Sequence, residues 1–489
     1  MNILDRAIAW LSPESGLQRV RSRKVMSQIM RYDAGSRGPR TKGWRAVGGD
    51  ADAVTGSRNR IAAVARDMTR NAPFAVKAQQ VIVANVIGDG IIPKLRSTNK
   101  RQEKRLREMM KAHFDTTAID VMGRENLYGL QRLALMAVVA DGEVLIRRVR
   151  SGQAIPFQLN VLEIDYLDSS KTSVTGPEIR EGIEYNERGE RVAYWLYDQH
   201  PGTANRYYGR GLESRRVPAS EIVHVFRQDR PGQSRGVSWF APVALAMQDW
   251  SDHQDAKLLQ QKIAACFAAF RTGVEPDDES PSQTAERFAT LSPGRIENLG
   301  VGEDVKFATP PAVQGYDEFS RVTLRAIAAG LGITYEALSG DLSGVNFSSG
   351  RMGRMEMDRN VSAWQWLMMI PQMMQPIGEW TLEAVAMRAE GRGFTIDWVP
   401  PVRFIVDPNR EVQAMVSSMD AGLSSRQGNI RALGYDPEEV LAEQTEDAEQ
   451  AKSAGIVFKA GPQVLQPVTA QPGGGQTVEQ QPQAARPEK

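Results

Sequence analysis

After Gly236 the apolar residues fall into helical spacing and keep it to about Arg271: Phe240, Val243, Met247 and Trp250, then Leu259, Ile263, Cys266, Phe267 and Phe270. At 1.5 Å per residue this predicts a rod of about 50 Å, longer than a small domain is wide. A rod of that length suits one elongated, multi-segment subunit, and 489 residues are enough chain for it or for roughly three ordinary domains. With 41% hydrophobic and 24% charged residues the composition is that of a globular protein, which excludes collagen-like, wholly disordered and disulfide-scaffold classes. The single cysteine, Cys266, excludes an intramolecular disulfide and a thiolate metal cluster and fits a reducing compartment.

Charge narrows the partners. The chain carries 60 Lys+Arg against 59 Asp+Glu, so no global excess marks a protein that grips a polyanion through counterion release. Residues 1–60 are the exception, with 12 basic and 5 acidic side chains, and stretches such as Gly35-Ser36-Arg37-Gly38-Pro39-Arg40 predict a basic arm, either a solvated tail or a contact to a partner. Met1 to Trp10 lack the apolar core of a signal peptide, and no apolar run approaches the roughly 20 residues that span a bilayer. The expectation is a chain kept in the cytosol until lysis, with no membrane partner.

Further along, helical spacing predicts a helix over 57–86 interrupted at Pro73, and shorter helices near 100–114 and 127–140. From Glu143 the period becomes alternating and predicts strands at 144–149, 157–164, 179–185, 192–197 and 222–226, with a hairpin turn at Asn186-Glu187-Arg188-Gly189. Residues 272–314 bear prolines and short polar segments, which predicts a small separate module. A second helix is expected to Leu331, then a Ser/Gly-rich loop, then a long helix from Arg351 to about Arg388 bent by Pro371 and Pro376. Residues 394–406 predict a strand, Asp407-Pro408 the start of another helix, and the Gln/Pro/Gly-rich stretch beyond 451 a disordered tail.

Gly232-Gln233-Ser234-Arg235-Gly236 fits the G-x-S-x-G pattern of a hydrolase elbow, but Arg227 to Pro231 separate it from the preceding strand, and the only later histidine, His253, falls on the same predicted helix. A Gly-bounded turn is the better reading. There is no phosphate loop or H-E-x-x-H, and His113, His200, His224 and His253 lack metal-ligand spacing, so no cofactor, metal or catalytic residue is expected. Eight methionines between Arg351 and Arg388, interleaved with Trp364, Trp366 and Trp380, suit a core stripe first and an adaptable inter-subunit surface second. Arg351 and Arg354 share a face, suited to ion pairs with Glu356 or Asp358 or to contact with phosphate.

The stretch Ile327-Ala-Ala-Gly-Leu-Gly-Ile-Thr-Tyr-Glu-Ala-Leu-Ser-Gly-Asp341-Leu-Ser-Gly-Val-Asn-Phe-Ser-Ser-Gly-Arg351 resembles the lambda-type portal proteins of tailed bacteriophages. So do Gly232 to Gly236 before a long helix, Gly182-Ile-Glu-Tyr ahead of the Gly189 turn, and Val406-Asp-Pro-Asn-Arg-Glu411 followed by Asp420-Ala-Gly-Leu423. Together these cover about residues 55–450. Phe347 departs from the tyrosine that many relatives carry, losing a hydroxyl and keeping the ring.

The resemblance implies an α+β portal fold: a flexible arm (1–56), a β-rich wing (57–235 with a return strand at 393–407), stem helices (236–271 and 315–331), a clip (272–314), a tunnel loop (332–350), a kinked helix (351–392), a helical crown (408–450) and a tail (451–489). It implies a structural, non-enzymatic ring, dodecameric in this family, at one capsid vertex of the virion, assembled in the bacterial host. Double-stranded DNA would pass through it in packaging and ejection. A terminase, a head-tail joining (adaptor) protein and the major capsid or scaffold protein would be its partners. The residues implied to face DNA are Ser343, Gly344, Asn346, Phe347, Ser348, Ser349, Arg351 and Arg354. The competing readings are a serine hydrolase using Ser234 and a general double-stranded-DNA-binding scaffold.

Overall fold

A computed structural model describes residues 55–97, 99–173, 176–203, 213–265, 269–272, 304–307, 316–386, 393–401, 408–433, 435 and 437–456. The basic arm, Cys266, Asp407, most of the proline-bearing module and the stretch beyond 456 lie outside these residues. The described residues begin with α1 (Thr55–Asn71) and α2 (Pro73–Val86), separated where the proline was expected to interrupt, then β1 (Ile92–Ser97), α3 (Lys100–Phe114) and α4 (Leu127–Asp141). A strand-rich stretch follows: β2 (Glu143–Arg150), β3 (Phe157–Leu162), β4 (Glu178–Arg180), β5 (Ile183–Tyr185), β6 (Arg191–Tyr197), β7 (Ser214–Pro218) and β8 (Ile222–Phe226). Next come α5 (Ala244–Ala265), β9 (Ala269–Thr272), β10 (Asp304–Phe307), α6 (Tyr316–Leu331), α7 (Tyr335–Ser339) and α8 (Phe347–Trp364). A π-helical segment, Gln365–Met374, leads into α9 (Gln375–Ala386), and β11 (Phe394–Val399), α10 (Pro408–Asp420), α11 (Arg426–Ala432) and α12 (Pro437–Ala454) complete the order.

These elements form two compact units. The first holds the described residues of Met1–Val81, Leu133–Arg148 and Leu159–Asp341, the second those of Ile82–Arg132, Val149–Gln158 and Leu342–Lys489. In the first, the sheets β3-β2-β8 and β4-β5-β6-β7 bury Leu145, Leu162, Ile164, Leu167, Ile183, Tyr194, Leu196 and Val217 in one core. In the second, β1 pairs antiparallel with β11, from Ile92 opposite Val399 to Ser97 opposite Phe394, although 300 residues separate the strands. There Gln131 accepts from the Ile91 amide through its side-chain oxygen (2.8 Å) and donates from its nitrogen to the Ile91 carbonyl (2.9 Å), a buried substitute for strand pairing.

The structure adds β1 and β7, which the sequence pattern does not announce, and departs from the expected elements in four further ways. First, the rod is shorter: α5 has 22 residues, about 33 Å. Residues 238–243 form tight turns, Ala241 N to Ser238 O and Val243 N to Phe240 O, which put Phe240 and Val243 on one buried side as a helix would. At the far end Ala269–Thr272 pairs with Asp304–Phe307 as a two-stranded ribbon. Second, 179–185 is a hairpin, β4 and β5, turning at Glu181 (φ 47°) and Gly182 (φ 83°). Two consecutive positive φ values define the turn that matches strand twist, and a glutamate in that role is unusual. Third, the loop before the kinked helix holds the short helix α7, and α8 already starts at Phe347. Fourth, α12 continues to Ala454, past the expected start of the tail.

The prolines in the kinked helix are absorbed differently. Pro371 lies inside the π-helical segment, where Gln375 N reaches back to Ile370 O, and Pro376 is the second residue of α9, which continues that segment without a break. Met368, Met369, Met373 and Met374 are buried there, whereas Met352 and Met355 of α8 face solvent. The methionine stripe is therefore core at its π-helical end and surface at its start. Removing residues 457–489, which are poor in core-forming side chains, should leave assembly intact; size-exclusion chromatography with light scattering of the shortened chain checks this.

Candidate functional site

The loop and helix start between 332 and 354 are built from short capping devices. In the first unit, Gly332 (φ 72°) ends α6, with its own amide on Ala329 O (3.1 Å) and that of Ile333 on Ala328 O (3.1 Å), the paired bonds that stop a helix sharply. Thr334 caps α7 by accepting from Ala337 N (3.2 Å), and Tyr335 donates its hydroxyl to Asp341 (3.2 Å). In the second unit, Asn346 accepts from Ser349 N (2.8 Å) while Ser349 Oγ accepts from Asn346 N (3.1 Å), a reciprocal cap that starts α8.

This places the expected DNA-facing residues. Ser343, Gly344, Asn346, Ser348, Ser349 and Arg351 are exposed, all within the second unit. Phe347 is the first residue of α8; its side chain lies outside what is described. Arg354 is half-buried with Nε 3.5 Å from Asp358, so part of its charge is answered within the helix, as the ion-pair alternative anticipated. Gly344 lacks a left-handed φ, and a Cβ added there would meet nothing within 4 Å. The loop thus presents neutral hydroxyls, an amide side chain and the positive end of a helix, with Arg351 one turn in. Such a surface favours a passing phosphate weakly, without a cluster of cations to hold it.

The Gly232 to Gly236 motif has a different use. Arg235 is fully buried and pairs with Glu143 (2.8 Å) and Glu181 (3.2 Å), while Arg58 meets Glu181 from α1. Glu143 also accepts from Gly236 N (2.9 Å) and lies 2.9 Å from His224 Nε2. Burial alone would raise the Glu143 pKa, but Arg235 and the His224 contact outweigh it and hold the carboxyl below its usual range. Burial lowers the His224 pKa, so the imidazole is neutral, with Nε2–H directed at Glu143. Burial also pushes Tyr194, 3.5 Å from His224 Nδ1, up to about 12. His253, the only histidine after Ser234, packs on Phe319 (4.3 Å) and Tyr316 (6.0 Å). The motif is a structural staple, and sequence reading missed its partners because Glu143 and Arg235 lie 92 residues apart.

Among the described residues, Glu163, Asp165 and His200 offer three ligand atoms within 4.8 Å of one another. The Gly202 amide donates to His200 Nδ1 (3.0 Å), which assigns the imidazole proton to Nε2, 2.9 Å from Glu163 and 3.9 Å from Asp165. A metal would need that nitrogen's lone pair, and Asp165 is also engaged by Arg66, which pairs with Asp141 as well. With His200 Nδ1 accepting from an amide and Asp165 engaged by Arg66, the donor set does not favour a metal site. Burial, reinforced by Glu163 and Asp165, outweighs Arg66 and holds the Asp141 pKa above normal. No helix among the described residues is long and apolar enough to cross a membrane.

Residues 37–365 match the phage portal protein family of lambda type. The chain is 26% identical to a probable portal protein of Halomonas phage phiHAP-1 over 84% of each chain. It is 22% identical to portal protein B of Escherichia phage lambda over 80% of this chain and 84% of that one. Its fold is shared with a chain in the neck of an empty gene transfer agent particle computed with C6 symmetry (TM-score 0.50, 15% identity, covering 76% of this chain and 94% of that one).

Proposed function

The chain belongs to the lambda family of phage portal proteins, and we propose that copies of it form a ring, a dodecamer, at one vertex of a phage head, through which double-stranded DNA is packaged and later ejected. The observation that carries this is the family match across residues 37–365. The ring would dock a terminase during packaging and a head-tail joining protein afterwards, set in the capsid or scaffold shell. Its action is mechanical: it passes DNA, matches symmetries and docks partners.

Two features support a DNA-passing role for residues 343–354. A channel must not hold a sliding polyanion at any one register, and a chain of net charge +1 meets that condition. Ser348 presents an exposed neutral hydroxyl beside the capped helix start formed by Asn346 and Ser349, and Arg351 at the positive end of α8 supplies a weak attraction, with Arg354 tempered by Asp358.

Negative-stain images of the purified protein should show closed rings with a central hole. A sharp 54.0 kDa monomer at high concentration in several salts would refute the ring. For the loop, Gly344→Val and Phe347→Asp should leave rings assembled and lower the DNA packaged per head several-fold. Gly344→Val is the cleaner variant, because a side chain at 344 meets open space. Normal genome lengths in both variants would remove the loop from the DNA path while leaving the ring untouched.

A further inference from the structure

In the first unit α5 and α6 pack against each other with one side each. His253 lies against Tyr316 and Phe319, while Met247 and Trp250 line one cavity with Leu324 and Ile327, so the helices run antiparallel. The opposite side of α5 carries Leu245, Asp249, Asp252, Ala256 and Leu259, at steps of four and three residues, all exposed, Leu245 by 81% and Leu259 by 58%. The opposite side of α6 carries Val322, Ala326 and Ala329, all exposed, Val322 by 65%. Arg325 flanks that stripe, its guanidinium 5.4 Å from the Tyr335 ring. One helix thus shows leucines around two aspartates, and the other shows small and apolar residues beside an arginine. The faces are complementary in shape and charge but lie on opposite sides of the pair, so they cannot satisfy each other within one copy.

We propose that the outer face of α5 in one copy docks on the outer face of α6 in the next, with Asp249 opposite Arg325. The proposal rests on the ring reading and names the surface that builds the ring. Two different faces make a head-to-tail contact, which propagates around a rotation axis and closes. Rotation about an axis along the helix pair leaves each residue at its own height, so residues level within one copy are level between copies. Trp250 and Leu324 line the same cavity, which sets Asp249 and Arg325 at one height. Running antiparallel from there, Leu245 reaches Ala329 and Asp252 reaches Val322, and the small alanine lets the leucine approach closely.

The test uses the full chain with Cys266→Ala, carrying Asp249→Cys together with Arg325→Cys. Oxidation of assembled rings should give a covalent ladder of dimers and higher multiples on denaturing gels, whereas each single-cysteine chain, whose thiol faces no second thiol across a head-to-tail contact, should stay monomeric. Rings that assemble but yield no ladder overturn the interface and leave the ring reading standing; failure of the parent protein to form rings overturns that reading itself. Independently, Asp249→Arg or Arg325→Asp should lower ring yield about tenfold by setting like charges face to face, and the double reversal should restore it. If both single variants are folded by circular dichroism and the double reversal is no better than either, the pairing is wrong. If a single variant does not fold, the cysteine pair decides alone.

Discussion

Arg235→Met is expected to destabilise the first unit by about 3–5 kcal/mol, because it leaves Glu143 buried without its main counter-charge. Methionine fills most of the volume, so the loss reports charge and hydrogen bonding more than a cavity. Glu143→Gln in the same chain should recover a large part of it, since the uncompensated charge is gone and the amide oxygen can still accept from Gly236 N. Urea unfolding of wild type, both single variants and the double variant measures this; a double variant as unstable as the sum of the singles would show that the pair does not act as a unit. The same network fixes the acid side of the stability profile. Glu143 has a depressed pKa in the folded chain, so its stabilisation is full above the unfolded carboxyl value, about 4.3, and fades as the pH falls toward the folded one. His224 is held neutral, so the unfolded chain takes up a proton that the folded chain refuses, and stability starts to decline below about pH 6.5. Both groups act in one direction. The midpoint of thermal unfolding should fall below about pH 6.5 through His224 and again below about pH 4.3 through Glu143, and the His224→Gln variant should lose only the first of these falls.

Gly142→Ala should cost about 3 kcal/mol or more, from a Cβ pressed into the backbone of Val237 and Ser238 and from a left-handed φ of 98°. Gly236→Ala should behave alike, since its Cβ would overlap the Gly142 carbonyl. These two glycines let the end of α4 and the turn after β8 lie backbone to backbone, which sets Gly236 N on Glu143. Gly152→Ala is the control: nothing lies within 4 Å of the added carbon, φ is not left-handed, and the change should stay within about 0.5 kcal/mol. If thermal melts place Gly142→Ala with the control, the close approach is not needed for the fold.

What sequence could supply follows the range of the interaction. Pro73, the Asn186 to Gly189 hairpin and the helix from Pro408 act within a few residues, and the structure places them as expected. Features that depend on a distant partner were not legible. Nothing near residue 181 announces a left-handed glutamate, because Arg58 and Arg235 hold its carboxylate from 123 and 54 residues away. The tight turns before α5 mimic a helix in the spacing of Phe240 and Val243, and the pairing of β9 with β10 spans a stretch of chain that no periodicity crosses. The residues from Ser343 to Arg354 are singled out by resemblance alone; by chemistry they are a capped helix start with two arginines.

The buried charges of the first unit also impose an order in time. Arg58, Glu143, Glu181, His224 and Arg235 must be brought together before any of them can leave water, and the last arrives 177 residues after the first. On the ribosome the strands up to β8 can pair early, yet the core beneath them cannot close until Arg235 has cleared the exit tunnel. Release of Arg235 is thus the earliest point at which this charge cluster can close, with the buried residues of α5 and α6 still to follow.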